Sequence, residues 1–332
     1  MGIKIIKNER LWLEDAIQQL EKFSRFKGVV DIVGLPDLHP SKVPVGTTIK
    51  TEHIIYPFFI GNDIGCGMSL YNTNIKVKKL NLDKIVKKLT DTQICGKYSI
   101  GGGNHFAEIQ IIDKVFDKSL NIDKNYAHLL IHSGSRNLGE EIYRNYASIN
   151  GLEEGSQEFN DYMKEHDKAI NFAKENREQV ADIFMSMIGL KYSNALIVDC
   201  IHNYIEKRED GYYHHKGSIS AFQNYAVIAG SRGTYSYLVR CIPQKETLYS
   251  ISHGAGRKWA RYLCKGRLEN KYKKDELKTT QLGGKVITND KALLYEEASE
   301  AYKNIEDVIE ILVDYNCIEV VARLKPVVTY KC

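Results

Sequence analysis

Closely spaced cysteines are missing from this sequence. The seven present (Cys66, Cys95, Cys200, Cys241, Cys264, Cys317 and Cys332) are odd in number and widely separated, with no C-x-x-C pair. That excludes a disulfide-stapled scaffold and a cysteine-rich zinc knuckle. A cysteine with a chemical role therefore acts alone or beside ligands of other types. No apolar run approaches the ~18 residues of a membrane span. Charges in the opening MGIKIIKNERLWLED stand where a secretory signal would be apolar. These absences predict free thiols in a reducing cytoplasm and no membrane partner. Proline is also scarce: four of the six (Pro36, Pro40, Pro44, Pro57) fall between 36 and 57, which predicts ordered turns and extended chain there.

What is present describes a globular protein, with 43% apolar and 27% charged residues. A length of 332 residues suggests two domains at about 150 residues each. No repeat, linker or shift in composition marks a boundary, however, so one compact domain over 1–332 is expected. Apolar spacing predicts helices over 9–25, from Ser156 through Phe184, and over about 291–312. β-rich runs at 52–60, 127–132, 196–201, 226–229, 235–241, 247–252 and 318–330 predict strands. Helices and strands do not alternate strictly, which disfavours a Rossmann or TIM architecture and predicts an α+β fold with mixed or antiparallel sheets flanked by helices.

The chemistry concentrates where apolar strands end. Phe58-Phe59-Ile60 runs into Gly61-Asn62-Asp63-Ile64-Gly65-Cys66-Gly67, and Leu129-Leu130-Ile131 into His132-Ser133-Gly134-Ser135-Arg136. Leu196–Ile201 leads to His202-Asn203, and Tyr249-Ser250-Ile251 to Ser252-His253-Gly254-Ala255-Gly256-Arg257. Gly101-Gly102-Gly103 delivers Asn104-His105. Strand ends hold side chains at fixed positions, and glycines let backbone N–H groups approach an anion closely. Any one such exit is more often a hydrogen-bonded turn; five in one chain point to a shared site. Asp63, Cys66, His105, His132 and His202 form a mixed O/S/N donor set suited to manganese, cobalt or zinc. Five donors exceed a four-coordinate structural zinc, and two ions sharing the thiolate suit chemistry on phosphate oxygens. The residues alone thus predict a metal-dependent phosphoryl- or nucleotidyl-transfer enzyme.

Together these segments resemble the RtcB family of GTP-dependent RNA ligases. The resemblance runs from Pro36-Asp37-Leu38-His39-Pro40 to Leu324-Lys325-Pro326. It also takes in Gly101–His105 with Phe106-x-Glu108, His214-x-Lys216-Gly217, Gly230-Ser231-x-Gly233-Thr234 and Ala301-Tyr302-Lys303. It implies joining of RNA 3′-phosphate or 2′,3′-cyclic phosphate ends to 5′-hydroxyl ends, in RNA repair or tRNA splicing. By matching position, Cys66 would bridge two Mn²⁺ ions, with His132 and His202 on one, and Asp63 and His105 on the other. His253 would carry GMP as a phosphoramidate. Asn104, Glu108, His202, Asn203, Gly230, Ser231, Thr234, Gly254, Ala255, Gly256 and Lys331 would surround the nucleotide, and an archease-like activator is a possible partner.

Four positions depart from the family pattern: Ser41, His215, Ser299 and the terminal Cys332. None removes a metal ligand or the nucleophile. Between Arg257 and Lys285 ten basic residues face three acids, a net +7 in a protein of net +4, with Trp259, Tyr262 and Tyr272 interleaved. Arg257, Lys258, Arg261, Lys271, Lys273 and Lys274 are therefore expected to contact RNA. A metal-dependent RNA phosphohydrolase or nuclease, and a non-catalytic RNA-binding relative, are the alternatives the residues leave open.

Overall fold

The computed structural model describes residues 2–9, 11, 13–90, 92–94, 96–118, 120, 122–190 and 195–332. Its fold is α+β, built on two sheets. The larger sheet runs Tyr225–Ile228, Ser236–Cys241, Ile318–Lys331, Phe106–Val115, Tyr126–Ser133, Gly67–Lys76 and Leu196–Ile201, with every neighbouring pair antiparallel. Lys285–Thr288 adds a parallel strand along the last turns of Ile318–Lys331. The smaller sheet runs Gly2–Ile5, Val29–His39, Val45–Thr51, Gly211–Lys216 and Asn203–Arg208.

Side-chain alternation decides what each face of the larger sheet does. Leu129 and Ile131 point to one face, where the helices Leu82–Thr90 and Gln157–Met187 cover them with Ile85, Leu89, Val180 and Phe184. Leu130 points to the other, into a core with Met68, Leu70, Val227, Leu238 and Leu324. His132, two residues along, takes the same face as Leu130. The helix Ile305–Asp314 wedges between the sheets: Val308 and Leu312 join the larger core, and Ile311 joins the smaller sheet's core.

The long helix begins as its sequence demands, with Ser156 accepting from the Phe159 N–H. Its buried stripe includes the polar residues His166, Asn176 and Arg177, and the last two fasten the sheet's loops. The Arg177 guanidinium, wholly buried, donates to Gly65 O (2.9 Å), Ser133 O (3.0 Å), Ser69 Oγ (2.9 Å) and both Asp199 oxygens (2.9 and 3.0 Å). Asn176 Nδ2 donates to Ser99 O, Ser133 Oγ and Gly134 O, while its Oδ1 accepts from Ser99 N.

Several expected boundaries move. Of the strand expected over 52–60, only Ile54–Ile55 is extended; Pro57–Ile60 is a single helical turn, because Pro57 sits at the first helical position, where its missing N–H costs nothing. The helix expected over 291–312 is three pieces, Leu293–Glu296, Ser299–Ala301 and Ile305–Asp314. The last is restarted by the Asn304 side chain accepting from Glu306 N. The first expected helix shortens to Glu14–Phe23. In 247–252 only Ser250–Ser252 is a strand, after Leu248 and Tyr249 at positive φ. The proline-rich stretch is extended as expected, in Val29–His39 and Val45–Thr51.

Removing one partner of a buried ion pair strands the other's charge in a poor solvent. Arg177→Ala should therefore lower unfolding free energy by about 3–5 kcal/mol in urea titration, and Arg177→Met with Asp199→Leu should recover most of that loss. A loss as small as that of a surface substitution would contradict the clamp.

Candidate functional site

The strand exits singled out in the sequence meet. Asp63 Oδ2 lies 2.9 Å from His105 Nε2, and His105 Nε2 lies 3.2 Å from Cys66 Sγ. Cys66 Sγ is 3.3 Å from His132 Nε2, which is 3.3 Å from His202 Nε2. The five donors thus form a chain with the thiol in the middle. Cys66, His105 and His132 place their donor atoms within 4.8 Å of one another.

Protons alone satisfy this arrangement poorly. His132 Nε2 faces both a sulfur and another imidazole nitrogen, and its Nδ1 and that of His202 are buried without a hydrogen-bond partner. Burial, reinforced by neighbouring imidazoles, holds both rings well below their ordinary pKa, so they are neutral lone-pair donors near neutral pH. Burial pushes the Asp63 carboxyl up, but His105 and Arg136 outweigh it and keep the group ionised. Burial and then the Asp63 charge push the Cys66 thiol well above its ordinary value. Neutral imidazoles, a carboxylate and an ionisable thiol fit borderline divalent cations. Five donors strung through one sulfur can hold two such ions.

Arg136 stands behind this set. Its guanidinium donates to both Asp63 oxygens (3.1 and 2.9 Å) and to His105 Nδ1 (3.1 Å), which fixes that ring with Nε2 toward the thiol. It does so from a left-handed backbone, φ 57°. Gly134 makes room: a Cβ there would sit 2.1 Å from Asp63 Oδ1.

His253 ends the strand Ser250–Ser252, and its ring centroid is 4.7 Å from that of His202. Its Nδ1 meets Asp37 Oδ2 at 2.7 Å, and its backbone N–H donates to the same oxygen. Burial raises the Asp37 carboxyl, but His253, Ser252 and Lys303 bring it below the ordinary value. An ionised Asp37 accepts a hydrogen bond from Nδ1–H and leaves the Nε2 lone pair free. Gly256, at φ 69°, lets this loop pass Asp37, where a Cβ would lie 2.1 Å from Asp37 O. The Lys303 ammonium donates to Pro36 O and Leu38 O on either side of that aspartate.

Asp63, Cys66, His105, His132, Arg136, His202 and His253 line one cavity of about 1350 Å³, and Asp37 and Lys303 stand behind its wall. Asn104, Asn203, Gly230, Gly254, Ala255 and Gly256 are on its wall, as are Arg257, Lys258 and Arg261. Glu108, Ser231, Thr234 and Lys331 are not. Glu108 is buried against Thr329 and Gln110, and Lys331 Nζ donates to His105 O. Ser231 and Thr234 bond to each other. Lys271, Lys273 and Lys274 are exposed outside the cavity. Arg257 is committed inward, to Glu297 Oε1 (3.1 Å), Tyr302 Oη (3.2 Å) and Glu296 O (2.7 Å).

Sequence reasoning gave no role to Asp37, Arg136, Asn176, Arg177, Glu297 or Lys303. Asp37 and Arg136 lie inside blocks already singled out, and their charge beside a strand-end histidine was the available signal. Arg177 carried none, lying mid-helix far from every motif.

A family model described as tRNA-splicing ligase RtcB matches residues 19–99 and 95–332. The chain belongs to the RtcB family. It is 40% identical to the RNA-splicing ligase RtcB2 of Escherichia coli ATCC 25922, over 98% of this chain and 94% of that protein. It is 30% identical to the tRNA-splicing ligase RtcB of Archaeoglobus fulgidus, over 94% and 90% respectively. Identity to the RNA-splicing ligase RtcB of E. coli K12 is 26%, over 96% and 94%.

In this RtcB-family chain, a cation taken up at Cys66 would have to displace a thiol proton that burial holds tightly. Calorimetric titration with Mn²⁺ or Co²⁺ should therefore release protons, with apparent affinity rising from roughly pH 6 to pH 8. Cys66→Ala should weaken uptake by more than about tenfold. A pH-independent affinity, or an unaffected variant, would count against the assignment.

Proposed function

We propose that this chain is a GTP- and Mn²⁺-dependent RNA ligase that joins 3′-phosphate or 2′,3′-cyclic phosphate ends to 5′-hydroxyl ends through a GMP–His253 intermediate. The reading treats residues 1–332 as one catalytic domain, supported by the convergence of residues from Asp63 to His253 on one cavity. The observation that carries it is the Asp37–His253 contact of 2.7 Å beside the Asp63–Cys66–His132–His202 cluster. A neutral imidazole oriented by a carboxylate is a nucleophile that needs no separate base. Five donors for divalent cations next to it suit a triphosphate.

In this reading His253 Nε2 attacks the α-phosphorus of GTP, a P–N bond forms and pyrophosphate leaves. Asp37 accepts from Nδ1–H and stabilises the positive charge that develops on the ring. The RNA 3′-phosphate next takes the GMP, breaking the P–N bond and returning His253 to its neutral form. The 5′-hydroxyl then attacks the activated 3′-phosphate, and GMP leaves. Mn²⁺ held by Asp63, Cys66, His105, His132 and His202 would offset charge on the phosphate oxygens. The backbone N–H groups of Gly254 and Gly256 and the walls at Asn104 and Asn203 would orient the nucleotide. Lys331, whose ammonium lies 5.6 Å from the centre of the Phe106 ring, is assigned to the guanine end, Glu108 to the neighbourhood of the nucleotide, and Ser231 and Thr234 to the loop around the nucleotide.

Protein incubated with Mn²⁺ and α-labelled GTP should give a denaturation-resistant adduct, absent in His253→Ala. In Asp37→Asn the adduct should form about 10²–10⁴-fold more slowly, because the wrong tautomer presents Nε2–H. RNA-end cleavage with no adduct would replace the ligase reading with a hydrolase.

Glu108 offers a second check. Burial raises its pKa to about 7, against Thr329, Lys331 and Gln110 acting downward. The neutral form is thus favoured in the folded protein, so its stabilising contribution is complete below the unfolded value and lost as pH rises through about 7. Glu108→Gln should raise thermal stability at pH 8 more than at pH 5 while weakening GTP binding. A variant with no loss of GTP affinity would remove Glu108 from the nucleotide site.

A further inference from the structure

The helix Arg261–Leu268 forms one lip of the cavity, and its composition says something about the RNA that the ligase reading does not. Cys264 and Leu268, four residues apart, face inward, and Leu268 packs with Leu277, Val286, Leu294 and Tyr295. That spacing turns Tyr262 outward. It is 83% exposed and has no hydrogen-bond or ring partner among the described residues, yet it lines the same cavity as Cys66, His132 and His253.

An isolated exposed tyrosine on an ordinary surface needs no explanation. The setting of this one is different. Arg267 lines the cavity with it, Lys258 does so from the turn before, and the helix contains no acid. The Arg267 guanidinium lies 4.9 Å from the centre of the Trp259 ring, which packs partly buried against the Leu268 cluster and so braces the arginine at the same lip. Flat rings interleaved with cations suit a single strand, whose unstacked bases accept an aromatic neighbour while its phosphates meet the charges. In a paired strand each base face is already covered by its neighbours.

We propose that Tyr262 is a stacking platform for an unpaired base close to the reacting RNA end, with Lys258 and Arg267 holding the adjoining phosphates, so that this chain selects single-stranded over paired 3′ ends. The proposal rests on the ligase reading for the nature of the end, and on the helix itself for the platform.

The test titrates the full chain, with Mn²⁺, into a short 3′-phosphate RNA carrying 2-aminopurine near that end, as a single strand and annealed to its complement. The protein should bind the single strand more tightly and quench its fluorescence. Tyr262→Ala should weaken single-strand binding roughly five- to hundredfold and remove the quenching, leaving duplex binding unchanged. Tyr262→Trp should restore both. Unchanged single-strand affinity in Tyr262→Ala, or equal losses on both RNAs, overturns the proposal and leaves the tyrosine to a protein partner. The GMP-adduct assay separates the two readings. Tyrosine-dependent quenching without an adduct sinks the ligase and keeps the platform; an adduct with tyrosine-independent binding does the reverse.

Discussion

Arg177 ties the cavity floor together. Its buried guanidinium holds the carbonyl of Gly65, one residue before Cys66, and that of Ser133, one residue after His132. It also grips Asp199, three residues before His202. Asn176, beside it, fixes the strand exit at Gly134 and the segment that enters the glycine loop at Ser99. Four loops that carry donor groups are therefore anchored to one turn of one helix. Loops at strand ends are ordinarily the mobile part of a fold. A charged donor buried among their carbonyls changes that, since moving any loop would leave part of a guanidinium unpaired in the interior.

Rigid loops matter because the ligand cluster is electrostatically awkward when empty. His132 and His202 are pressed together as neutral rings, and Cys66 keeps its proton. His132 Nε2 is held 3.3 Å from both Cys66 Sγ and His202 Nε2, and the backbone clamps keep these donors together. Arg136 adds a cation that sharpens Asp63 into an ionised ligand while fixing His105. The same principle recurs at the nucleophile, where Lys303 sits beneath the Asp37 peptide and the aspartate beneath His253. At each centre a buried charge from a distant segment orients the side chain to which the proposed chemistry is assigned, an arrangement that would keep reacting groups within a narrow range of positions.

This layering explains what could be read in the sequence. Asp63, Cys66, His105, His132 and His202 were legible because glycine-flanked exits follow apolar strands, and strand geometry delivers such residues to one edge. His253 was legible by the same rule. The groups behind them were less so: Arg177 and Asn176 lie within a helical stripe and Glu297 in a broken helical segment, while Lys303 lay inside a recognised block that gave it no role. Nothing local distinguishes a clamp from a solvated charge. The α+β class followed from irregular alternation. The strand Gly67–Lys76 was missed because GMSLYNTNIK alternates small and polar residues across two buried faces, so its pattern does not separate inside from outside.

The basic segment shows how position divides residues that composition groups together. Arg257 and Arg261 share Glu297, which is nearly buried and also lies 3.5 Å from Lys331 and 2.6 Å from the Tyr302 hydroxyl. Three cations around one carboxylate leave a positive excess at and just behind the cavity wall, with Arg257 and Lys331 largely buried and Arg261 partly exposed. Lys271, Lys273 and Lys274 stand in water outside the cavity, where salt screens them within about 8 Å at physiological ionic strength. The excess at the wall therefore sets the field that a phosphate meets inside, and the outer lysines act on the approach. Tyr262 stands at the lip of the cavity, next in sequence to Arg261 and open to solvent.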